Sequence, residues 1–517
     1  MFTRRPAKLP LGLLVVFMAF GSAVPVAAAA RRSSGPDAGR ADGRVPGQAA
    51  RRAGGRARAE FHASLRVGAS VRAIPGSFLG LSVEYGGIAR YEGLRGFAQM
   101  LRTLTVSGSG PTLVRLGGES ADGTYLPPRR GLPGDYRLTR KWFTTLASLV
   151  RAAHLRLMFD LNLAARSPSM AGVLARVATA ALPAGSIQSF EIGNEPDLFK
   201  IGYVGVRRIA PGQGGPLAWA LGYTPGRYAL DFRSYAGAVV RAVRAATFAG
   251  PSVTVPDGRW WNGLPAHGRE RLAIVSLHAY PLLDCVPVSD PRYPTVARLL
   301  SPQASSGFAA GMRSAARAAH RRGAGLRLTE VGPAACGGVH GVTDAFAAAL
   351  WVPDALFALL AAGVDGVNIH TRLDSLNTPL RGLPSLSAQP LWYGMVLFER
   401  ALGPGARLLA TDLRTEGHPR LSAWAVKLSG GALRVLLINK GARAASVALR
   451  LRRRSRGHAL YLHAPSPSAT SRLTLGRASL RADGSWDREQ ALQPLRSTAG
   501  TYHVGVPPFS AALVRVP

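Results

Sequence analysis

From residue 77 to about 400, short apolar runs alternate with longer stretches of helical periodicity. Eight apolar runs stand out: FLGLSVE (78–84), TLVRL (112–116), RLMFDLN (156–162), SIQSFEIG (186–193), SVTVP (252–256), AIVSLHAY (273–280), LRLTEV (326–331) and DGVNIH (365–370). Between them lie helix patterns such as KWFTTLASLVRAAH, DFRSYAGAVVRAVRAATFAG and TDAFAAALWVPDALFALLAAG, the last two closing on glycine. Strand–helix alternation is the grammar of a parallel sheet, and eight units predict a closed (β/α)8 TIM barrel over residues 77–402. An open doubly wound sheet is disfavoured. FLGLSVEYGG lacks the G-x-G-x-x-G spacing of a phosphate loop and shows no helix opening directly after the strand.

Beyond the helix pattern QPLWYGMVLFERAL the period changes. LSAWAVKL, LRVLLINK, ASVALRLR, HALYLHA, TSRLTLG, YHVGV and SAALVRV are short and alternating, which predicts a C-terminal antiparallel β-sandwich over 403–517. FHASLRVGASVRAI (61–74) has the same character, so residues 59–76 are expected to join that sandwich and make it discontinuous.

The first thirty residues run charged, apolar, then small (RRPAKLP, LGLLVVFMAF, GSAVPVAAAA), the order of a secretory signal cleaved near Ala28–Ala30. The apolar core is about ten residues, short of the roughly twenty that span a bilayer, so no stable membrane insertion is expected after cleavage, although a retained anchor is the alternative. Residues 31–58 carry almost no large apolar side chain and read as a disordered linker. The formal charge is +36, but only five of the 64 basic residues are Lys and the arginines are scattered through helices and strands alike. A nucleic-acid protein would gather basic and aromatic residues on one surface, and no such clustering is evident; the charge favours acidic polysaccharides and other polyanions instead.

In a (β/α)8 barrel the carboxyl ends of the strands surround one open face where chemistry occurs. Asn194 and Glu195 stand at the end of the fourth run in SFEIGNEPD, and Glu330 ends the seventh in RLTEV. One glutamate from each of two opposite walls is what retaining glycoside hydrolysis needs: a protonated carboxyl for the leaving oxygen and an ionised one for the anomeric carbon. Other strand ends add Glu84 (first), Arg115 (second), Asp160 and Asn162 (third), and His278 and Tyr280 (sixth). Arg115 is either an ion-pair residue of the barrel mouth or an orienting group for the nucleophile. His278 is equally consistent with a satisfied buried histidine, and Asp160 and Asn162 with loop fixation. Asp284, Asp290 and His340 match no metal-ligand spacing, and neither metal nor cofactor is called for.

FEIGNEPD, HAYP, LTE followed by CGG, and FAAALWVPDALFALLAAGVDGVNIHTR together resemble glycoside hydrolase family 79, the β-glucuronidases and heparanase-like enzymes, over roughly residues 60–517. The resemblance implies Glu195 as acid/base, Glu330 as nucleophile, Asn194 on the sugar 2-hydroxyl, Glu84 on other sugar hydroxyls and Tyr280 beside the nucleophile. It also implies that backbone N–H groups near Gly337 and Gly338 receive a uronate carboxylate, a role that successive glycine amides can fill as an anion-binding nest. The chain departs from the family pattern after VNIHTR, where LDSLNTPLRG has no tyrosine.

Cys285 and Cys336 are the only cysteines and follow the sixth and seventh runs, so adjacent loops could join them in a disulfide; two buried thiols are the alternative. The expected activity is that of a secreted β-glucuronidase acting on glucuronides or acidic glycans. The rivals are another retaining barrel glycosidase, such as a xylosidase or arabinofuranosidase, and a non-catalytic carbohydrate or polyanion binder.

Overall fold

The computed structural model describes residues 60–517 apart from 95, 106–107, 128–134, 206, 211–214, 383–384, 418 and 452–454. The expected signal segment and linker lie outside the described residues. Eight strands close a barrel: Leu79–Val83, Leu113–Leu116, Arg156–Leu161, Ile187–Ile192, Phe248–Val253, Leu272–Ala279, Gly325–Val331 and Gly366–Thr371. Every neighbouring pair is parallel, and the eighth strand pairs with the first. Inward and outward faces are both covered, which is why these runs read as nearly continuous apolar segments rather than as alternations.

Two expectations within the barrel are corrected. The fifth strand is Phe248–Val253, not SVTVP, because the preceding helix Pro225–Ala242 ends early. Gly250 and Pro251, which read as a helix terminus and a break, lie inside the strand. A helix, Tyr85–Glu92, does open directly after the first strand. Its two glycines argue against helix, but Tyr85, Ile88 and Tyr91 are buried on one side, and that packing outweighs the local propensity.

Apart from three two-stranded ribbons, the remaining described strands form one curled sheet. It is mixed rather than antiparallel, because Phe61–Ala73 pairs antiparallel with Arg407–Thr415 and parallel with Ala445–Arg450. A strand arriving from the far end of the chain is not bound to a neighbour by a hairpin, so either direction is open to it. Arg407–Thr415 was not foreseen: after RLLA it carries Asp412 and Arg414, and the alternation is masked.

The helix Phe346–Ala361 is buried along nearly its whole length between barrel and sheet. That position explains an all-round apolar helix. Its one acid, Asp354, receives Lys440 Nζ (2.6 Å) and the Trp424 indole N–H (2.8 Å), both from the sheet. Trp424 stacks on Phe357 of the same helix, with centroids 5.8 Å apart. Among the described residues no helix is long and apolar enough to cross a membrane.

Candidate active site

Because all eight strands run the same way, residues at their carboxyl ends converge. Glu84 follows the first strand, Asn194 and Glu195 follow the fourth, Tyr280 follows the sixth, and Glu330 lies near the end of the seventh. One carboxylate oxygen of Glu195, one of Glu330 and a ring nitrogen of His278 all lie within 4.8 Å of one another. Glu195 is held in the left-handed region (φ 47°, ψ 48°) directly before Pro196, and its N–H donates to Ser252 O of the fifth strand at 3.1 Å. A non-glycine residue in that region costs about 1–2 kcal/mol, so the surrounding contacts hold Glu195 where relaxed backbone would not.

Glu330 accepts the Tyr280 hydroxyl at Oε1 (2.5 Å), with His370 Nδ1 3.3 Å from the same oxygen and Arg115 3.6 Å from Oε2. Burial alone would raise its pKa, but the positive charges of His370 and Arg115 and the Tyr280 donor outweigh burial and bring it down to about 2. Glu195 moves the other way. Burial and then the negative charge of Glu330 push its carboxyl well above the usual range. Its Oε1 lies 2.8 Å from His278 Nδ1, and His278, lowered to about 4 by burial, is uncharged at neutral pH. The two carboxyls are thus driven in opposite directions, as their surroundings differ.

Arg115 organises the layer beneath. It is fully buried and contacts Glu191, Asp160 Oδ2 (2.8 Å), Asn194 Oδ1 (3.1 Å), Ser252 Oγ (3.2 Å) and Ser82 Oγ (3.1 Å). Because Asn194 Oδ1 accepts from Arg115, its Nδ2 is the end that remains as a donor. Arg115 and His278, expected among the substrate-binding groups, have side chains 0% and 1% exposed and lie beneath the two glutamates. Asn162 fixes its loop through Thr124 O (2.9 Å) and Ala165 N–H (2.8 Å).

Glu84 accepts the Ser120 N–H at 2.9 Å and lies 3.8 Å from His370 Nε2. Gly337 and Gly338 do adopt left-handed backbone, φ 126° and 99°. The Gly338 N–H, however, donates to Asp284 Oδ2 at 2.6 Å, so a side chain already occupies one of the amides near which a uronate carboxylate was expected. Cys285 and Cys336 are joined in a disulfide with Cα atoms 5.8 Å apart, next to that loop. Asp290 is taken up by Arg292 (2.8 Å) and His340 by Asp344 (2.8 Å).

Sequence reasoning missed His370, Arg372, Glu119 and Glu191. His370 lies next to the last residue of the eighth strand, and its run DGVNIH carries no acid at its end to draw notice. Arg372 follows it and lies 3.5 Å from Glu119 Oε2, whose carboxyl is pushed up to about 8 by burial and by Glu84. Glu191 betrays itself as a charge inside an apolar strand, the mark of a barrel interior.

The fold and these residues define a (β/α)8 barrel with two neighbouring glutamates at its open face and a β-domain attached. No protein-family model and no curated protein matches the chain. Solved structures do. A 4-O-α-L-rhamnosyl-β-D-glucuronidase from Fusarium oxysporum, solved with Rha-GlcA, aligns at TM-score 0.70 and 15% identity, covering 88% of this chain and 100% of that one. The GH51 arabinofuranosidase of Xanthomonas axonopodis pv. citri aligns at 0.62 and 16%, covering 89% and 100%. A family 44 xyloglucanase of Paenibacillus polymyxa aligns at 0.58 and 12%, covering 88% and 99%. The likeness establishes a shared fold.

Proposed function

We propose that this chain is a retaining glycoside hydrolase, with Glu330 as nucleophile and Glu195 as acid/base. The observation that carries the reading is the pair itself: carboxylate oxygens within 4.8 Å, on opposite walls, with pKa values driven apart. Inverting enzymes hold their carboxyl groups roughly 6.5–9.5 Å apart to admit a water, whereas retaining ones are about 5–5.5 Å apart. In the first step a Glu330 oxygen bonds to the anomeric carbon as the glycosidic C–O bond breaks, and the Glu195 proton passes to the departing oxygen. In the second, Glu195 takes a proton from water as the water oxygen attacks that carbon and the Glu330 ester breaks. Asn194 Nδ2 donates to the sugar 2-hydroxyl and Glu84 accepts from a further hydroxyl.

For the substrate we favour a β-glucuronide. Arg372, close to Glu84 and the largely buried Glu119, brings a cation to the mouth where a uronate carboxylate would lie. The similarity to the Fusarium rhamnosyl-glucuronidase supports the same choice. A neutral pentoside, as for the arabinofuranosidases, is the second reading, favoured by the Asp284 carboxylate on the Gly338 amide. The disulfide supports an oxidising, extracytoplasmic location.

Rates on 4-nitrophenyl glycosides of β-glucuronate, β-glucose, β-xylose and α-arabinofuranose test the assignment. We expect the glucuronide to turn over fastest, Arg372→Gln to raise KM on it alone, and Glu330→Gln to lose turnover on every substrate while staying folded. Near-normal activity of Glu330→Gln would overturn the mechanism. A faster arabinofuranoside, indifferent to Arg372, would overturn the uronate assignment.

A further inference from the structure

The β-domain carries a second cavity with a different character. A cleft of about 850 Å³ opens where Phe61–Ala73 loses register with Arg407–Thr415 between Val67 and Ser70, and again between Ser70 and Arg72. Its floor is apolar, formed by Leu409, Leu433 and Leu451, all buried. Its rim carries Arg66, Lys427 and Arg450, all exposed, and among the described residues no acidic one lines it.

These cations are placed against electrostatic preference. Arg66 lies directly opposite Arg450 in the parallel ladder, and Lys427 lies directly opposite Arg407 in the antiparallel one. Like charges facing each other across strands are destabilising. Among the described residues none of Arg66, Lys427 and Arg450 is within ion-pair distance of a carboxylate. The nearest in register, Asp412 beside Arg66, is engaged by Arg414 at 3.2 Å. The facing Arg66 and Arg450, with Lys427 on the same cleft, are relieved when an anion sits among them.

We propose that this cleft is a non-catalytic binding site for an acidic polysaccharide, whose sugar rings pack their C–H faces on the leucine floor while carboxylate or sulfate groups pair with Arg66, Lys427 and Arg450. The volume is that of a site for a small ligand and admits two or three sugar rings. A single-stranded nucleic acid would call for aromatic stacking platforms, and among the described residues no aromatic side chain lines the cleft. The site is independent of the glycosidase reading, because it is read by binding and not by turnover.

The test compares full-length wild type with two triple variants that each remove three positive charges: R66S/K427S/R450S in the cleft, and R151S/R176S/R321S on exposed barrel helices. Affinity for heparin, for polygalacturonate and for neutral dextran is measured at fixed salt. The cleft triple should bind the acidic polymers at least tenfold more weakly than wild type, and the control triple within twofold. Heparin alone responding identifies sulfate as the recognised group; both polymers responding identifies the carboxylate as sufficient. Equal losses in the two triples would mean diffuse charge, and no loss in the cleft triple would mean no site; either overturns the proposal. Thermal unfolding checks that all three proteins are folded, and singles R66Q and R450Q, each expected to weaken binding severalfold, stand in if the cleft triple is not.

Discussion

Neutralising Glu330 should change the acidity of Glu195, and by a computable amount. The closest carboxylate oxygens are within 4.8 Å. Two like charges at that distance, at an effective dielectric constant of about 20, repel by about 3.5 kcal/mol, which corresponds to about 2.5 pH units in the midpoint of Glu195. Glu330→Gln keeps the shape and removes the charge, as does the ester formed in the first half of the proposed reaction. Glu195 must therefore be a strong holder of its proton before attack and a weaker one afterwards. That fall turns an acid into a base without any movement. The chain has eleven glutamates, so carboxyl-13C glutamate labelling gives a tractable spectrum, and the Glu195 signal is identified by its loss in Glu195→Gln. Titration should place its midpoint about 2 pH units or more lower in Glu330→Gln than in wild type. A midpoint within half a pH unit of wild type would refute the coupling, and with it the assignment of opposed roles.

Three further outcomes are expected. The pH profile of kcat/KM should stay level into acid, because Glu330 is held at about 2, and should fall on the alkaline side as the raised Glu195 carboxyl loses its proton; a profile falling first on the acid side refutes the assignment. Lys440→Met strands the Asp354 carboxylate between barrel and sheet and should cost about 3–5 kcal/mol, whereas K440M/D354L should recover most of it. Over the roughly 460 residues of 60–517, about 2.1 cal/mol/K per residue makes that loss a fall of about 3–5 °C in Tm. The folded Asp354 pKa is depressed, so its contribution is present above the unfolded value and is lost as pH falls through the folded one; the Tm gap between wild type and Lys440→Met should therefore narrow in acid. Reducing Cys285–Cys336, 51 residues apart, should cost about 4 kcal/mol by chain entropy and should weaken substrate binding more than it changes kcat; unchanged Tm after complete reduction rules this out.

Which of these features the chain shows on its face depends on how local their causes are. The eight barrel strands were legible because strands buried on both faces must be apolar throughout, and seven of the eight observed strands overlap their expected runs almost residue for residue. Glu195 and Glu330 were legible for a related reason: topology alone carries a residue at a strand's carboxyl end to the open face. The fifth strand was misplaced because Gly250 and Pro251 disfavour strand locally, and only pairing with the strands on either side holds FAGPSV extended. Tyr85–Glu92 was missed for the mirror-image reason. Its glycines oppose helix, and the buried face that overrides them is visible only in three dimensions.

The charge network below the site was hidden more deeply, because its logic is collective. Arg115, Glu191 and Asp160 are each costly to bury alone, and no spacing rule links strands two, three and four. Together they support one another: the Arg115 charge brings the Glu191 carboxyl below the usual range against burial, while burial pushes Asp160 above it. Arg115 then has contacts left for Asn194 and for Glu330 above it. Charged residues inside apolar strands, Arg115 in LVRL and Glu191 in IQSFEI, are the sequence trace of such a layer. They are tolerated there only because they point to a shared axis, and in a barrel that axis leads to the active face. The placement of the two glutamates is therefore a consequence of the interior beneath them, and a change in Arg115 should disturb the acidity of Glu330 before it disturbs the fold of the strands.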